Sequence, residues 1–211
     1  MGLVLGCDIG QAVDPTAIVV AESYKPEPEH PDDRPLVEFL VRWVERVPLG
    51  TSYVDVVERI AAVSEQALLV DRHVVVVVDQ TGVGRPIYDM LRRRCTVPLR
   101  GITFTAAADE ILPNPSQIRV PKRDLVTALE VALEDRRLHM HPNIALAEDL
   151  RAELQQFQVN LSARGHDTYE AGRGHHDDLV MALCLAVWWG SRKGQGSAFV
   201  QAWRNMAARP R

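Results

Sequence analysis

The sequence predicts an α/β protein: a mixed five-stranded sheet, three antiparallel strands plus two parallel ones, with helices on both faces. Three observations predict it. Leu3–Cys7, Thr16–Ser23 and Leu36–Val47 are β-branched or aromatic-rich runs separated by turn-forming segments, which suits an antiparallel meander. Val74–Val78 is five consecutive valines, a pattern that fits a strand covered on both faces, as in a parallel sheet. Asp177–Gly190 is apolar nearly all round, so it reads as a helix buried against that sheet.

The elements follow in order. The first strand stops at Asp8, and a short Gly-containing turn leads into the second. Lys25–Pro35 is a proline- and acid-rich loop unsuited to a core. After the third strand, a helix starts from a Thr51/Ser52 cap and runs through Leu69, with Val54, Val57, Ala61, Ala67 and Leu68 on its apolar face. The valine strand ends at Asp79, and Gly82-Val83-Gly84 turns the chain into a helix reaching about Arg94. Val97–Phe104 is the fifth strand, and Thr105–Val120 reads as a long irregular connection. Pro121–Leu138 is expected to be a helix, with Pro121 in its first turn and Arg136 and Arg137 in its last, matching the helix dipole. A short helix covers Leu146–Phe157, and Val159–Ala171 looks like a hairpin with Arg164-Gly165 at its tip. Gly190–Gly196 reads as a joint. Phe199, Trp203 and Met206 put an apolar stripe on a short terminal helix. Residues 1–191 are thus expected to form one domain, and 192–211 a flexible joint and C-terminal tail.

Composition bounds the function. The 211 residues are 46% hydrophobic and 25% charged, with a mean hydropathy of −0.10, as in a soluble globular protein. A net charge of −4 gives no global pull toward nucleic acid, but acids gathered at a metal site lower the total while basic residues elsewhere hold phosphate. Basic residues are mostly arginine, whose forked donors suit phosphate; the lysines are Lys25, Lys122 and Lys193. Cys7, Cys95 and Cys184 follow no metal spacing and sit in apolar runs, so buried thiols in a reducing compartment are expected. No signal peptide, membrane span or myristoylation signal is visible, and a cytoplasmic protein without membrane contact is the expectation.

Aspartates recur where apolar runs meet their ends. Asp8 closes the first strand and Asp79 the valine strand. If those strands are adjacent and parallel, both carboxylates emerge at one edge about 5 Å apart. Two like charges that close ionise cheaply only with a cation between them, and short-stemmed aspartates hold Mg²⁺ or Mn²⁺ well. One aspartate after a strand is ordinarily a turn or cap residue; several placed this way favour metal. Asp14, six residues beyond Asp8, folds back across the turn. In GRGHHDDLVMA, His175 and Asp178 share a helical face, while Asp177 points about 100° away, which makes Asp178 the better ligand. His175 is placed to support a metal, water or phosphate. His176 reads as peripheral.

The segments GCDIGQAVDPTA, VVDQTGVG, VPKRDLV and HHDDLVMALCLA resemble the nuclease domain of bacteriophage large terminase subunits, which has the ribonuclease H-like fold. The resemblance runs from about Leu3 to Trp189. Its last motif and the Asp8-to-Asp14 spacing are the most specific parts. It implies a Mg²⁺- or Mn²⁺-dependent endodeoxyribonuclease acting by a two-metal mechanism, as in cutting concatemeric viral DNA during genome packaging. The family's metal-binding acids fall on Asp8, Asp79 and Asp178, with Asp14 as an additional acid. Asp8 would bridge two ions. His175, Asp177 and Lys122 would support the site, and Lys122 or Arg123 would neutralise charge at a phosphate. Arg164, Arg173 and Arg123 are the expected DNA contacts, to phosphate rather than base, so binding should be salt-dependent and weakly sequence-specific.

The expected partners are double-stranded DNA and, by the resemblance, an ATPase motor, a small terminase subunit or a portal protein; the location would be the bacterial host cytoplasm. No G-x-x-x-x-G-K-[ST] motor motif is present in this sequence. Holliday-junction resolvases share the fold and similar aspartate motifs, so a junction-selective nuclease is an alternative, as is a non-catalytic packaging or assembly module. A sugar-kinase-like phosphate loop at CDIG is disfavoured, because that architecture needs two such domains around a nucleotide.

Overall fold

A computed structural model describes residues 2–193 apart from 11–13, 29, 31, 33–34, 72, 106–109, 115, 142, 162–166 and 172–176. The first three strands are β1 (Gly2–Asp8), β2 (Thr16–Tyr24) and β3 (Glu38–Val47). Helix α1 (Tyr53–Val70), strand β4 (Val74–Asp79), helix α2 (Gly84–Arg94) and strand β5 (Leu99–Thr105) follow. Next come β6 (Ile111–Asn114), β7 (Gln117–Pro121), helix α3 (Lys122–Glu134) and β8 (Leu138–Met140). Helix α4 (Ala147–Gln156), strands β9 (Phe157–Leu161) and β10 (Asp167–Ala171), and helix α5 (Asp178–Lys193) complete the described chain.

The sheet is mixed α/β as expected, but it has eight strands rather than five, in the order β6-β7-β5-β4-β1-β2-β3-β8. The five expected strands form its contiguous centre. β1 to β3 are the antiparallel meander, and β4 and β5 run parallel to β1. The additions lie at the two edges. β7 pairs with β5 inside the stretch expected to be irregular, because Ile118 and Val120 alternate inward as a short β-branched run despite the prolines that flank it. At the other edge, β8 is three residues on β3. β9 and β10 pair antiparallel as a separate hairpin, as expected; Arg164 at its tip is outside the described residues.

Alternation along the strands sorts the core into two layers. One buries Val4, Ala17, Val44, Val75, Val77 and Ile102 under α3 and α5. The other buries Leu3, Leu5, Cys7, Val76 and Val78 under α1 and α2. The buried face of α1 is Val56, Val57, Ile60, Ala61, Val63 and Ala67, a small rotation from the expected one, and Val54 is exposed. Ser52 caps that helix by accepting from Asp55 N. Arg94, at the end of α2, ties that helix to α1 through Glu58 and Glu65.

α3 ends at Glu134, four residues before the expected stop. Arg136 turns left-handed (φ 56°) and Arg137 donates to Val37 O at 2.8 Å, which aims the chain into β8. α5 continues through Gly190 to Lys193, where a joint was expected, because Gly190 is the contact point against Phe39 and Ser23. The expected terminal helix around Phe199 lies outside the described residues. The three cysteines are free thiols, and Cys7 and Cys184 are buried. Among the described residues no helix is long and apolar enough to cross a membrane.

Candidate metal centre

The centre is built from one row of the sheet. β1 and β4 are parallel in a register that pairs Cys7 with Val78, so Asp8 and Asp79, the next residues, end their strands side by side. Asp8 pairs with Ala17 on β2, and Ala17 pairs with Arg46 on β3. Four neighbouring strands therefore present Asp79, Asp8, Ala17 and Arg46 in a line. By the pleat these face the same side as Val77, Val4 and Val44, the side that α5 covers.

Gly6 explains how α5 comes so close. A Cβ at Gly6 would lie 1.9 Å from Ala182 O and 2.9 Å from Ala186 N, so the helix rests directly on the β1 backbone. Its first turn is thereby held against the acidic row, and this brings Asp177 and Asp178 to it.

Asp178 is 3% exposed. Its Oδ2 accepts from Arg46 Nε at 2.9 Å, and Oδ1 faces Nη2 at 3.5 Å. The same guanidinium contacts Glu153 of α4 and lies 3.8 Å from Asp149. Glu153 is itself buried, and its Oε2 accepts from Leu179 N (3.0 Å) and Val180 N (3.2 Å). A carboxylate from another helix thus satisfies two of the amide donors at the start of α5. Neither Arg46 nor Glu153 was among the residues expected from the sequence. The available signal was phase: Arg46 shares the inward parity of Val44, and Glu153 lies on the buried face of α4 with Leu150.

Electrostatics mark the acids as one group. Burial pushes the Asp8 carboxyl well above the usual aspartate range, and Asp79, Asp177 and Asp178 push it further, in that order; Lys122 opposes them. Asp79 is 8% exposed, and burial raises it to about 6 against the hydrogen bonds of Thr81 and the charge of Lys122. Thr81 N donates to Asp79 Oδ1 at 2.7 Å. Lys122 opens α3, and its Nζ lies 3.7 Å from Asp177 Oδ2. The adjacent aspartates therefore diverge, Asp177 toward Lys122 and Asp178 toward Arg46.

The donors are all carboxylate oxygens, the set that suits Mg²⁺ or Mn²⁺, and their charge in a desolvated place calls for a cation. The residues fit such an ion in chemistry and charge. As they stand, no group of three His, Cys, Asp or Glu among the described residues is arranged to hold one. Asp79, Asp177 and Asp178 are instead engaged by Thr81, Lys122 and Arg46.

The remaining expected residues spread out. Asp14 is exposed and lines a cavity of about 280 Å³ with Gly10, Thr16, Pro48, Thr51 and Ser52, in which none of the other acids takes part. The turn that carries it is tight: Gly10 N donates to Thr16 Oγ1 at 3.2 Å, and a Cβ at Gly10 would meet Asp14 O. Arg123 faces Asp124 and lines a second hollow with Lys25, Leu36 and Arg137. Arg173, His175 and His176 lie outside the described residues, as does Arg164.

No family model matches the sequence, and no curated protein matches it. Solved structures do. The large terminase nuclease of thermophilic phage G20c aligns over 87% of this chain and 80% of its own, at 21% identity and a TM-score of 0.56. Its magnesium-bound form aligns over 88% and 79%, at 22% identity and a TM-score of 0.56. The manganese-soaked terminase nuclease domain of human cytomegalovirus aligns over 89% and 82%, at 12% identity and a TM-score of 0.55. The chain has the fold of these nuclease domains, the ribonuclease H-like fold, as the sequence motifs implied.

Proposed function

We propose that this chain is a divalent-metal-dependent endonuclease that hydrolyses DNA phosphodiester bonds. The observation that carries this is the side-by-side placement of Asp8 and Asp79 at the ends of two parallel strands, with Asp177 and Asp178 laid over them by α5. The magnesium and manganese in the solved terminase nucleases support the choice of ion. Asp8, Asp79 and Asp178 are the proposed ligands, and Asp177 supports them; Asp14, exposed in the adjoining turn, would add a further acid only by swinging in from the neighbouring cavity. A pair of magnesium or manganese ions held by these carboxylates would supply an activated water and would neutralise charge on the attacked phosphate and its leaving oxygen.

The chain's own residues do the rest. Asp8 presents its carboxylate from the middle of the row, where strand backbone on both sides fixes its position. Thr81 N holds Oδ1 of Asp79 and so fixes that carboxylate at the end of its strand. Lys122, fixed at the start of α3, places an ammonium near both carboxylates and balances a phosphate oxygen drawn into the site. Duplex DNA approaches across the edge that carries the four acids, with Arg123, Arg164 and Arg173 as phosphate contacts. Cutting of concatemeric genomes beside an ATPase motor, a small terminase subunit or a portal protein is the setting that the motif resemblance suggests.

The test is supercoiled plasmid incubated with the purified full chain in Mg²⁺, Mn²⁺ or EDTA. Nicking or cutting with either ion, absent in EDTA and in Asp8→Asn and Asp178→Asn, is expected. A folded protein that cuts under none of these conditions, or an Asp8→Asn variant with full activity, overturns the reading.

A further inference from the structure

We propose that Arg46 is a resident counter-ion that competes with the metal for Asp178, and that it releases this carboxylate by staying on Glu153 and turning toward Asp149. The inference rests on the assignment of Asp178 as a ligand. Both Asp178 oxygens face the guanidinium, Oδ2 at 2.9 Å from Nε and Oδ1 at 3.5 Å from Nη2. Asp178 is buried, as is Glu153, so two carboxylates removed from water share one cation. Without that cation the pair is costly, since breaking a buried ion pair by removing one partner leaves a charge uncompensated. Arg46 thus keeps the acids tolerable before metal arrives. It also spends the donor that the metal needs, consistent with the lack of a ready ligand group among the described residues.

The release route is built in. Arg46 already contacts Glu153 and lies 3.8 Å from Asp149, so it keeps acidic partners when Asp178 turns away. Glu153 cannot follow it, because its Oε2 is fixed by Leu179 N and Val180 N. The guanidinium pivots on its contact with the stationary Glu153, away from Asp178 and toward Asp149, and α5 keeps its cap throughout. Asp178 then exchanges a monovalent partner for a divalent one without leaving the buried row.

The test is Mn²⁺ binding by calorimetry, with melting temperature measured in EDTA and in Mn²⁺, on the full chain. Arg46→Met should melt lower than wild type in EDTA, bind Mn²⁺ about tenfold tighter, and gain more in melting temperature from Mn²⁺. Arg46→Lys, which keeps a charge but loses the fork, should fall between the two and serves if the methionine variant does not fold. Glu153→Gln keeps an acceptor for the α5 amides but weakens the receiving partner, so it should bind Mn²⁺ several-fold more weakly than wild type. Arg46 variants that bind Mn²⁺ no tighter than wild type overturn the competition, and so does unchanged binding in Glu153→Gln. Asp178→Asn is the separate control. If it binds Mn²⁺ as wild type does while Asp8→Asn does not, the ligand assignment itself fails and the competition with it.

Discussion

Asp8 and Arg46 occupy the same row of the sheet two strands apart, with the methyl group of Ala17 between them. A larger residue at Ala17 would separate the acid from the first turn of α5. With alanine there, the most strongly perturbed carboxylate and the cation that anchors Asp178 lie under one helix terminus.

Asp8→Asn removes a negative charge from the middle of that row and keeps its shape. Metal-dependent nicking should fall about a hundredfold or more. The metal-free protein should melt higher at pH 8 than wild type, because burial and three neighbouring acids disfavour the ionised Asp8. Plasmid assays and thermal melts in EDTA check both. A lower metal-free melting temperature would mean that Asp8 holds the fold together rather than straining it.

Metal-free stability should depend on pH. Burial pushes the Asp79 carboxyl in the folded chain up to about 6, from an ordinary 3.8. The folded state therefore holds this proton more tightly than the unfolded chain. The resulting stabilisation is fully present below about pH 4 and is lost as pH rises through 6, by roughly 3 kcal/mol for this group. Asp8 shifts in the same direction and deepens the loss. Urea midpoints in EDTA should fall across this interval, and Mn²⁺ should restore much of the loss at pH 7.5. A flat profile in EDTA would contradict the desolvation of the acids.

Lys122→Met takes away the ammonium that lowers both Asp8 and Asp79. Their ionisation should then require higher pH, so the pH for half-maximal Mn²⁺ binding should rise by about one unit. Calorimetric titrations at a series of pH values measure it. An unshifted midpoint would place Lys122 outside the electrostatics of the centre.

Gly6→Ala tests how the helix is seated. The new methyl would meet backbone atoms Ala182 O and Ala186 N, which yield only if α5 moves as a body. The expected cost is about 2–3 kcal/mol in denaturant unfolding. Nicking at a temperature where the variant is still folded should fall more than tenfold, because Asp177 and Asp178 ride on that helix. Full activity in a destabilised variant would separate seating from chemistry.

The centre of the fold was legible because its signals are local. Val74–Val78 could only be a strand covered on both sides, and Asp8 and Asp79 announce themselves as charges ending apolar runs. Arg46 and Glu153 were not legible, since each reads as an ordinary residue of an alternating strand or amphipathic helix. Their roles come from Asp178, which is 132 residues from Arg46 in sequence. β7 was hidden for a related reason: its pairing partner lies in another segment, and its short alternating run of Ile118 and Val120 sits between prolines that read as a turn. The end of α3 was misread because an Arg-Arg pair suits a last helical turn as well as it suits the left-handed exit that Arg136 makes.

Helix α5 is moored at both extremities by ion pairs. Arg46 and Glu153 hold its start, while near its end Arg192 joins Glu110, just before β6, and lies 4.6 Å over the Trp188 ring. Sixteen residues of helix form a spar about 24 Å long. A spar fixed at two points transmits tilt along its length, so an altered residue at Glu110, on the rim of the sheet, would register as a misplaced carboxylate at the opposite end.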